Sequence, residues 1–378
     1  MKFSTTSTAL YKALDTVSGA LPSKSDKEIL DCILLQRQGH HLEIRATDLE
    51  VAIRHRFPVE FSSEPNEDLD IVAVPAKQLL ESCRTLPEIP ITFEVGESYK
   101  IILSHDRGQY DWMGFSGYSF PEFPVISEAQ SVEFDRGQLK SGFNLVSFAV
   151  SKDMSRPGMM GVLFEILEGS ARIVGTDGHR LARCIFKDYE GELDVSALAP
   201  FKALQQVARV DGPDECTIEV SENFLAFTFG QTHVVSALIN ASFPNYERAI
   251  PTENDKIVLL NRDDLLNSVR RVNFFASENS HQILLDCKED SVEVSAWDVE
   301  RSSKGSETIS CEYRGEATQV GFNAEYLLDL LRSLPAGDVS LAMGMPNRAA
   351  LMRPIPQSDL QDLTLLIMPV MLNTGENF

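Results

Sequence analysis

The amino-acid sequence predicts an α+β protein of three topologically similar domains, each with two helices and a larger set of antiparallel strands. Three observations carry that expectation. The stretch Gly175-Thr176-Asp177-Gly178-His179-Arg180-Leu181-Ala182 follows an alternating run and sits where a strand stops and turns. Related corners recur as Ala46-Thr47-Asp48-Leu49-Glu50 and Ala296-Trp297-Asp298-Val299-Glu300, with their aspartates 129 and 121 positions apart. Next, the helix-like segment Pro75–Pro87 aligns without a gap with Asn323–Pro335 at an offset of 248, and Pro200–Arg209 falls midway, at 125. Finally, each third opens with an apolar pair at i, i+7 spacing: Leu10 and Val17, Leu139 and Val146, Leu265 and Val272.

Each element has a local reason. The opening helices present those apolar pairs on one face, and Asp135 and Asn261 stand where N-caps belong. A pair of alternating strands then leads to the Asp corner, where Asp supplies an Asx-type turn and Gly a residue free to take positive φ. The second helices of the first two copies carry Pro at the expected first helical position, and those of the first and third carry Pro just past the end. Strands return at Ile91–Glu94 and Tyr99–Ser104, Thr217–Val220 and Phe224–Thr228, and Ser340–Met343 and Ala349–Met352. The first two thirds close on Ser119–Pro124 and Ser242–Arg248, extended Pro-containing phrases suited to linkers. The last third ends on a strand, Leu365–Pro369. Domains are therefore expected at 1–125, 126–252 and 253–373, with a C-terminal tail at 374–378.

Composition narrows the class. Apolar residues make up 43% and charged residues 24%, ordinary for a globular chain. Met1–Thr6 lacks a signal-peptide core, and Leu365–Leu372, the longest apolar run, is too short for a bilayer and broken by Pro369. A cytoplasmic protein without a membrane partner is expected. Cys32, Cys83, Cys184, Cys216, Cys287 and Cys311 form no CxxC pair, so buried free thiols are expected, with neither a zinc site nor a disulfide framework. The formal charge of −22 argues against nucleic acid at face value, but net charge describes long-range fields and not each face. In the helix windows 5–19, 75–86, 135–151, 199–210, 261–277 and 323–334, counting Lys152 just beyond, twelve basic residues stand against seven acids. The helices are thus a basic subset of an acidic chain, which solvated helix faces would also explain. Six helices lining a ring at about 10 Å each would leave a bore of about 9 Å, and twelve a bore of about 28 Å. Two chains, not one, could then surround a duplex.

Several phrases in fixed order bring a resemblance. Ala46–Glu50, Arg156–Glu165, Gly175–Ala182, Phe243–Arg248 and Ile367–Leu372 resemble those of the bacterial DNA sliding clamps, the β subunits of DNA polymerase III, and the likeness runs from Met1 to Leu372. It implies the DNA clamp fold of three similar domains, with two chains closed head-to-tail into a dimeric ring. It further implies a non-enzymatic processivity factor that slides on duplex DNA without sequence preference. Its partners would be the replicative polymerase, the clamp loader and other proteins bearing clamp-binding motifs. No cofactor or metal is implied, and ATP belongs to the loader.

The resemblance also carries residues over. The client pocket, which accepts a short apolar peptide, maps onto Met159, Thr176, Gly178, His179, Arg180, Leu181, Pro244, Arg248, Leu366, Met368, Pro369, Val370 and Met371. Leu, Met and Pro would give a deformable apolar floor, with the Gly178 backbone and the Arg180 and Arg248 side chains placing a peptide's polar groups. From spacing alone, His179 reads equally as a turn residue and Leu365–Leu372 as a plain core strand. Lys24 and Arg156 match DNA contacts, expected to meet phosphates because base readout would hold a sliding ring in place. Phe274 and Phe275 match an apolar pair of the subunit interface, against the alternative of an internal core pair. Met371 departs from the basic residue usual before the final Leu, and the polar tail Asn373–Phe378 either stays free or folds back toward the pocket. Two rivals stand beside this reading. One is an enzyme using Asp177 with His179, or a metal site with Asp48, although no P-loop, HExxH or GxSxG accompanies them. The other is a clamp-like scaffold that binds proteins without encircling DNA.

Overall fold

The computed structural model describes residues 1–187, 189 and 194–371; the expected tail at 374–378, Asn373 and Leu372 lie outside the described residues. Six α-helices are present among them: α1 (Ser7–Ser18), α2 (Ala76–Thr85), α3 (Arg136–Val146), α4 (Phe201–Val207), α5 (Arg262–Val272) and α6 (Ala324–Ser333). Each falls inside one of the expected windows. In α1, Leu10, Ala13, Leu14 and Val17 form the buried stripe that the i, i+7 pair announced. The Thr6 hydroxyl caps it by accepting from the Ala9 amide at 3.2 Å. Asn261 caps α5 through the amides of Asp263 and Asp264, and Asn323 caps α6 in the same way through Glu325 and Tyr326. In α5, acids fill the first turn and Arg270 and Arg271 the last, the order the helix dipole favours. Pro75 stands at the N-cap of α2 and not at its first helical position, because it also ends the strand Ile71–Pro75.

The chain divides into two compact units, one made of Met1–Gly137 and Lys202–Leu238, the other of Gln138–Phe201 and Ile239–Phe378. The first holds a nine-stranded and a five-stranded antiparallel sheet, the second an eight-stranded and a four-stranded one. The repeat boundaries are not the unit boundaries, and sheet pairing explains why. In the first unit, the strand Val51–Pro58 pairs with Thr232–Ala237 of the second repeat, Ile53 opposite Val234. In the second unit, Arg180–Phe186 pairs with Gln361–Ile367 of the third repeat, Leu181 opposite Leu366. Backbone ladders run straight through the repeat junctions, so each of these sheets is shared by two repeats. The closing phrases are correspondingly less linker-like than their prolines suggest. Phe120 packs on Cys32, Leu34 and Ala73, and Tyr246 is buried with Leu163, Val174 and Leu366. The last strand stops at Ile367, short of Pro369, which lacks the amide a further ladder bond needs.

All three Asp corners share one hydrogen-bond pattern. The Asp48 carboxylate accepts from the amides of Glu50 and Val51, Asp177 from His179 and Arg180, and Asp298 from Glu300 and Arg301, all at 2.8–3.2 Å. A repeated turn accounts for these aspartates without chemistry. The residue after the aspartate in the first two corners turns through positive φ: Gly178 at 88° and Leu49 at 76°. Leu49 is 57% exposed, so its side chain gains little burial to offset the left-handed strain. Leu49→Gly is expected to stabilise the protein by about 0.5–1 kcal/mol after allowing for glycine's unfolded-state freedom, read as a rise in denaturation midpoint at constant slope. An unchanged or lower midpoint would contradict that reading.

Five of the six cysteines are buried free thiols and Cys311 is half-buried. Burial pushes the Cys83 thiol up to about 12, which keeps it protonated and inert.

Candidate functional site

Most of the expected pocket residues meet in the second unit, on the ladder between Arg180–Phe186 and Gln361–Ile367. Leu181 and Leu366 face each other across it and join Leu163, Val174, Tyr246, Ala349 and Leu351 in one apolar cluster, with Phe243 and Ile250 at its margin. The Met368 amide donates to the His179 carbonyl at 2.8 Å, which continues the ladder past the strand's end. Val370 is held the same way by its amide on Gly321, at 2.9 Å. The result is a buried leucine floor edged by partly exposed Met368, Pro369 and Val370. Pro244 and Arg248 are exposed on the segment that seats Tyr246. Met371, at 80% exposure, stands in solvent.

The corner itself is more tightly bound than its sequence implies. Thr176 is buried, donating its hydroxyl to the Arg180 carbonyl at 2.8 Å and accepting from the Gly178 amide at 3.1 Å. The Arg180 guanidinium bonds Asp177 at 3.1 Å and Asp329 of α6 at 2.6 Å, and lies over the Tyr326 ring at 4.7 Å. It is thus engaged within the fold, while Arg248 keeps an exposed side chain. His179 is an exposed turn residue whose ring stacks on Tyr326 at 5.9 Å. Its amide, not its imidazole, meets Asp177. No acid–base pair forms there, and no group of three or more His, Cys, Asp or Glu side chains able to hold a metal occurs among the described residues.

Arg156 belongs to this corner too. It pairs with Asp153 at 2.7 Å and donates to the Asp177 carbonyl at 3.0 Å. Hydrogen bonds from Ser155, with that from Arg156 and its charge, bring the Asp153 carboxyl down to about 2. Gly178 turns at a φ of 88°, which favours glycine, and a Cβ there would crowd the Arg156 guanidinium at 3.2 Å. Lys24, by contrast, is exposed in the loop after α1 of the first unit. Among the basic helix residues, Lys202 is engaged with Asp48 and the Leu21 carbonyl. Lys12, Lys140 and Arg209 remain exposed.

Phe274 and Phe275 follow α5 in a single 3-10 turn, 81% and 41% exposed, which overturns the internal-core alternative. The Phe275 ring lies against Gly305 of the strand Ser303–Ser310, where a Cβ would come within 2.4 Å of it.

Sequence reading passed over Tyr246, Phe243, Tyr326 and Asp329 as site residues. The Tyr246 hydroxyl donates to Glu165 at 2.9 Å, and burial together with that carboxylate raises its pKa. The phrase that contains Phe243 and Tyr246 was a visible signal, whereas the approach of α6 to the corner had none.

A repeat-built antiparallel scaffold carrying a buried leucine cluster under a partly exposed apolar rim has the features of a binding surface. Family models place it further. Those described as DNA polymerase III beta subunit N-terminal, central and C-terminal domains match residues 1–126, 133–245 and 247–371. The chain belongs to the DNA polymerase III beta subunit family, the bacterial sliding clamps, which are not enzymes. It is 28% identical to the beta sliding clamp of Pseudomonas putida over 375 residues, covering 98% of this chain and 100% of that one. It is 29% identical to that of Pseudomonas aeruginosa over 379 residues, with the same coverage. The crystal structure of a sliding clamp from Pseudomonas aeruginosa bound to griselimycin superposes with a TM-score of 0.91 at 28% identity, covering 98% of this chain and 100% of that one. No helix among the described residues is long and apolar enough to cross a membrane.

Proposed function

We propose that this protein is a sliding clamp: a head-to-tail homodimer that encircles duplex DNA in the cytoplasm and tethers the replicative polymerase and other clients. One observation carries the ring. Two sheets are completed by pairing the outer strand of one repeat with that of the next, Val51–Pro58 with Thr232–Ala237 and Arg180–Phe186 with Gln361–Ile367. The matching strands left over are Ser303–Ser310, at the edge of the four-stranded sheet, and Gly108–Met113, at the edge of the five-stranded one. Joined between two copies, they make nine strands, the number in the largest completed sheet. Open edges invite such pairing, and both carry exposed apolar side chains: Tyr110 and Met113 on one, Phe274 and Phe275 beside the other. A heterologous contact of this kind closes into a ring only if its rotation closes, here after two copies.

Exposed Lys24, with Arg156, would meet DNA phosphates, and the Leu181–Leu366 floor would take the apolar side chains of a client peptide, delivered in concert with a clamp loader. The domain limits 1–125, 126–252 and 253–373 remain the natural division of the repeats. The test of encirclement is retention on circular against linearised DNA at raised salt. A topologically linked ring stays on circles and runs off ends, and Lys24→Glu makes retention more salt-sensitive without changing sequence preference. Equal loss from circles and linear DNA would sink encirclement and leave a protein-binding scaffold. For the pocket, Met368→Ala should weaken a short apolar peptide about tenfold, because it removes roughly 1.4 kcal/mol of contact at a partly exposed rim. Fluorescence anisotropy reads the affinity, and an unaltered value would place the peptide elsewhere.

A further inference from the structure

The nine-stranded sheet of the first unit has a second charged face that none of these roles uses. On Val51–Pro58, His55 and Phe57 line a hollow with α1, so the alternation of the strand sends Arg54 and Arg56 to the opposite side. There Arg54 lies opposite Arg45, and Arg56 opposite Glu43, of the strand His41–Thr47. Glu43 is completely buried and accepts from the Nε atoms of both Arg45 and Arg56 at 2.5 Å. Arg54 is left out: its Nε stays 4.0 Å from the same carboxylate, is itself buried, and has no hydrogen-bond partner. Its guanidinium lies 4.7 Å above the Phe123 ring. On the other side of Arg54 is His233, whose imidazole is pushed down to about 4 by burial and by Arg54 and Arg56, so it is neutral near pH 7. Beyond it the row continues through Thr228 and Thr217 to Glu133, which is bonded to Thr217 at 2.8 Å.

Three guanidiniums therefore share one carboxylate. Arginine does not shed its proton, so the patch holds two uncompensated positive charges on a half-buried surface around the fully buried Glu43. Buried charges are otherwise found paired. We infer that this face is an oxyanion site, in which a carboxylate or phosphoryl group binds between Arg54 and Arg56 and supplies the partner that Arg54 lacks. A planar fork with free donors suits that chemistry, since two N–H groups can meet two oxygens at once. The source is either a free anion or an acidic side chain of a partner protein.

The test uses the full-length protein labelled with 15N and follows the Arg54 Nε–Hε signal, assigned by its absence in Arg54→Lys. Inorganic phosphate, acetate and a glutamate-rich peptide are titrated separately at constant ionic strength. A saturable shift is expected, with a millimolar midpoint for phosphate or acetate as a free source, or a tighter one for the peptide as a protein source. The His233 ring gives a second readout: its titration midpoint rises when the anion is present, and loses that dependence in Arg54→Gln. Arg56→Lys, which retains the charge and loses the fork, should bind several-fold more weakly, and it serves if Arg54→Gln does not fold. No saturable shift with any of the three anions, or an anion-dependent His233 midpoint that persists in Arg54→Gln, would overturn the site.

Discussion

Replacing Phe274 and Phe275 together with alanine is expected to convert the dimer into folded monomers. Phe274 is 81% exposed in the single chain and Phe275 41%, so their loss removes little internal packing at the first and only part of the second. Burying a phenylalanine contributes about 1.5–3 kcal/mol. A head-to-tail dimer contains the contact twice and so buries four of these rings. Scaled by how much of each ring is exposed in the single chain, the pair of substitutions forfeits about 4–7 kcal/mol of association, at least several-hundredfold in the dimer constant. Sedimentation at micromolar concentration should show monomers with unchanged far-UV circular dichroism, and salt-resistant retention on circular DNA should vanish with the dimer. Phe275 also touches Gly305, so a modest loss of stability is expected from that contact alone. If the double variant still sediments as a dimer, the interface lies elsewhere and the open sheet edges close by another route.

Glu43→Gln should produce the second large effect, on stability. The buried carboxylate is the shared partner of Arg45 and Arg56, and its removal leaves three guanidiniums on one sheet face with no counter-charge. Breaking a buried pair on one side costs about 3–5 kcal/mol. For a unit of this size that corresponds to a fall of about 10 °C in its transition. The pH dependence has a definite sign. Burial alone would raise the Glu43 pKa, but the charges and hydrogen bonds of Arg45 and Arg56 outweigh it and hold the carboxyl below its usual range. A carboxyl depressed in the folded state contributes stability above its unfolded pKa and loses it as pH falls through the folded value. The gap between wild type and Glu43→Gln should therefore be full near neutrality and close in acid, below the ordinary glutamate range. Thermal melts of both proteins from neutral to acidic pH check this. A gap that widened in acid would mean that Glu43 is not the ionised partner of the arginines.

Much of the fold could be read locally. The Asp corners were legible because an Asx turn is completed within four residues, and Asp48, Asp177 and Asp298 make the same pair of bonds. The helices were legible for a similar reason, since Leu10 and Val17 or Leu265 and Val272 already mark the buried stripe. The candidate site was legible in part. Leu181 and Leu366 could be named as apolar residues, but nothing near either one announces that they face each other across a ladder. Arg180 and Arg156 could be named as candidate peptide and DNA contacts, but their partners within the fold could not. Whether an arginine is free depends on an acceptor that another segment brings, Asp329 for the first and the Asp177 carbonyl for the second. Glu43 and its arginines went unremarked, since an alternating strand says which face a residue takes and not what stands opposite.

The sequence by itself determined the triplication, the Asn261 cap, the Asx corners and the family, because each rests on short-range periodicity or on ordered motifs. Only the tertiary structure decided that two sheets run through the repeat junctions, that Phe274 and Phe275 stand outside the core, and that one carboxylate is left to balance three arginines. Those outcomes depend on pairings between strands far apart in the chain, whose register is set by burial of whole faces and not by any neighbouring residue.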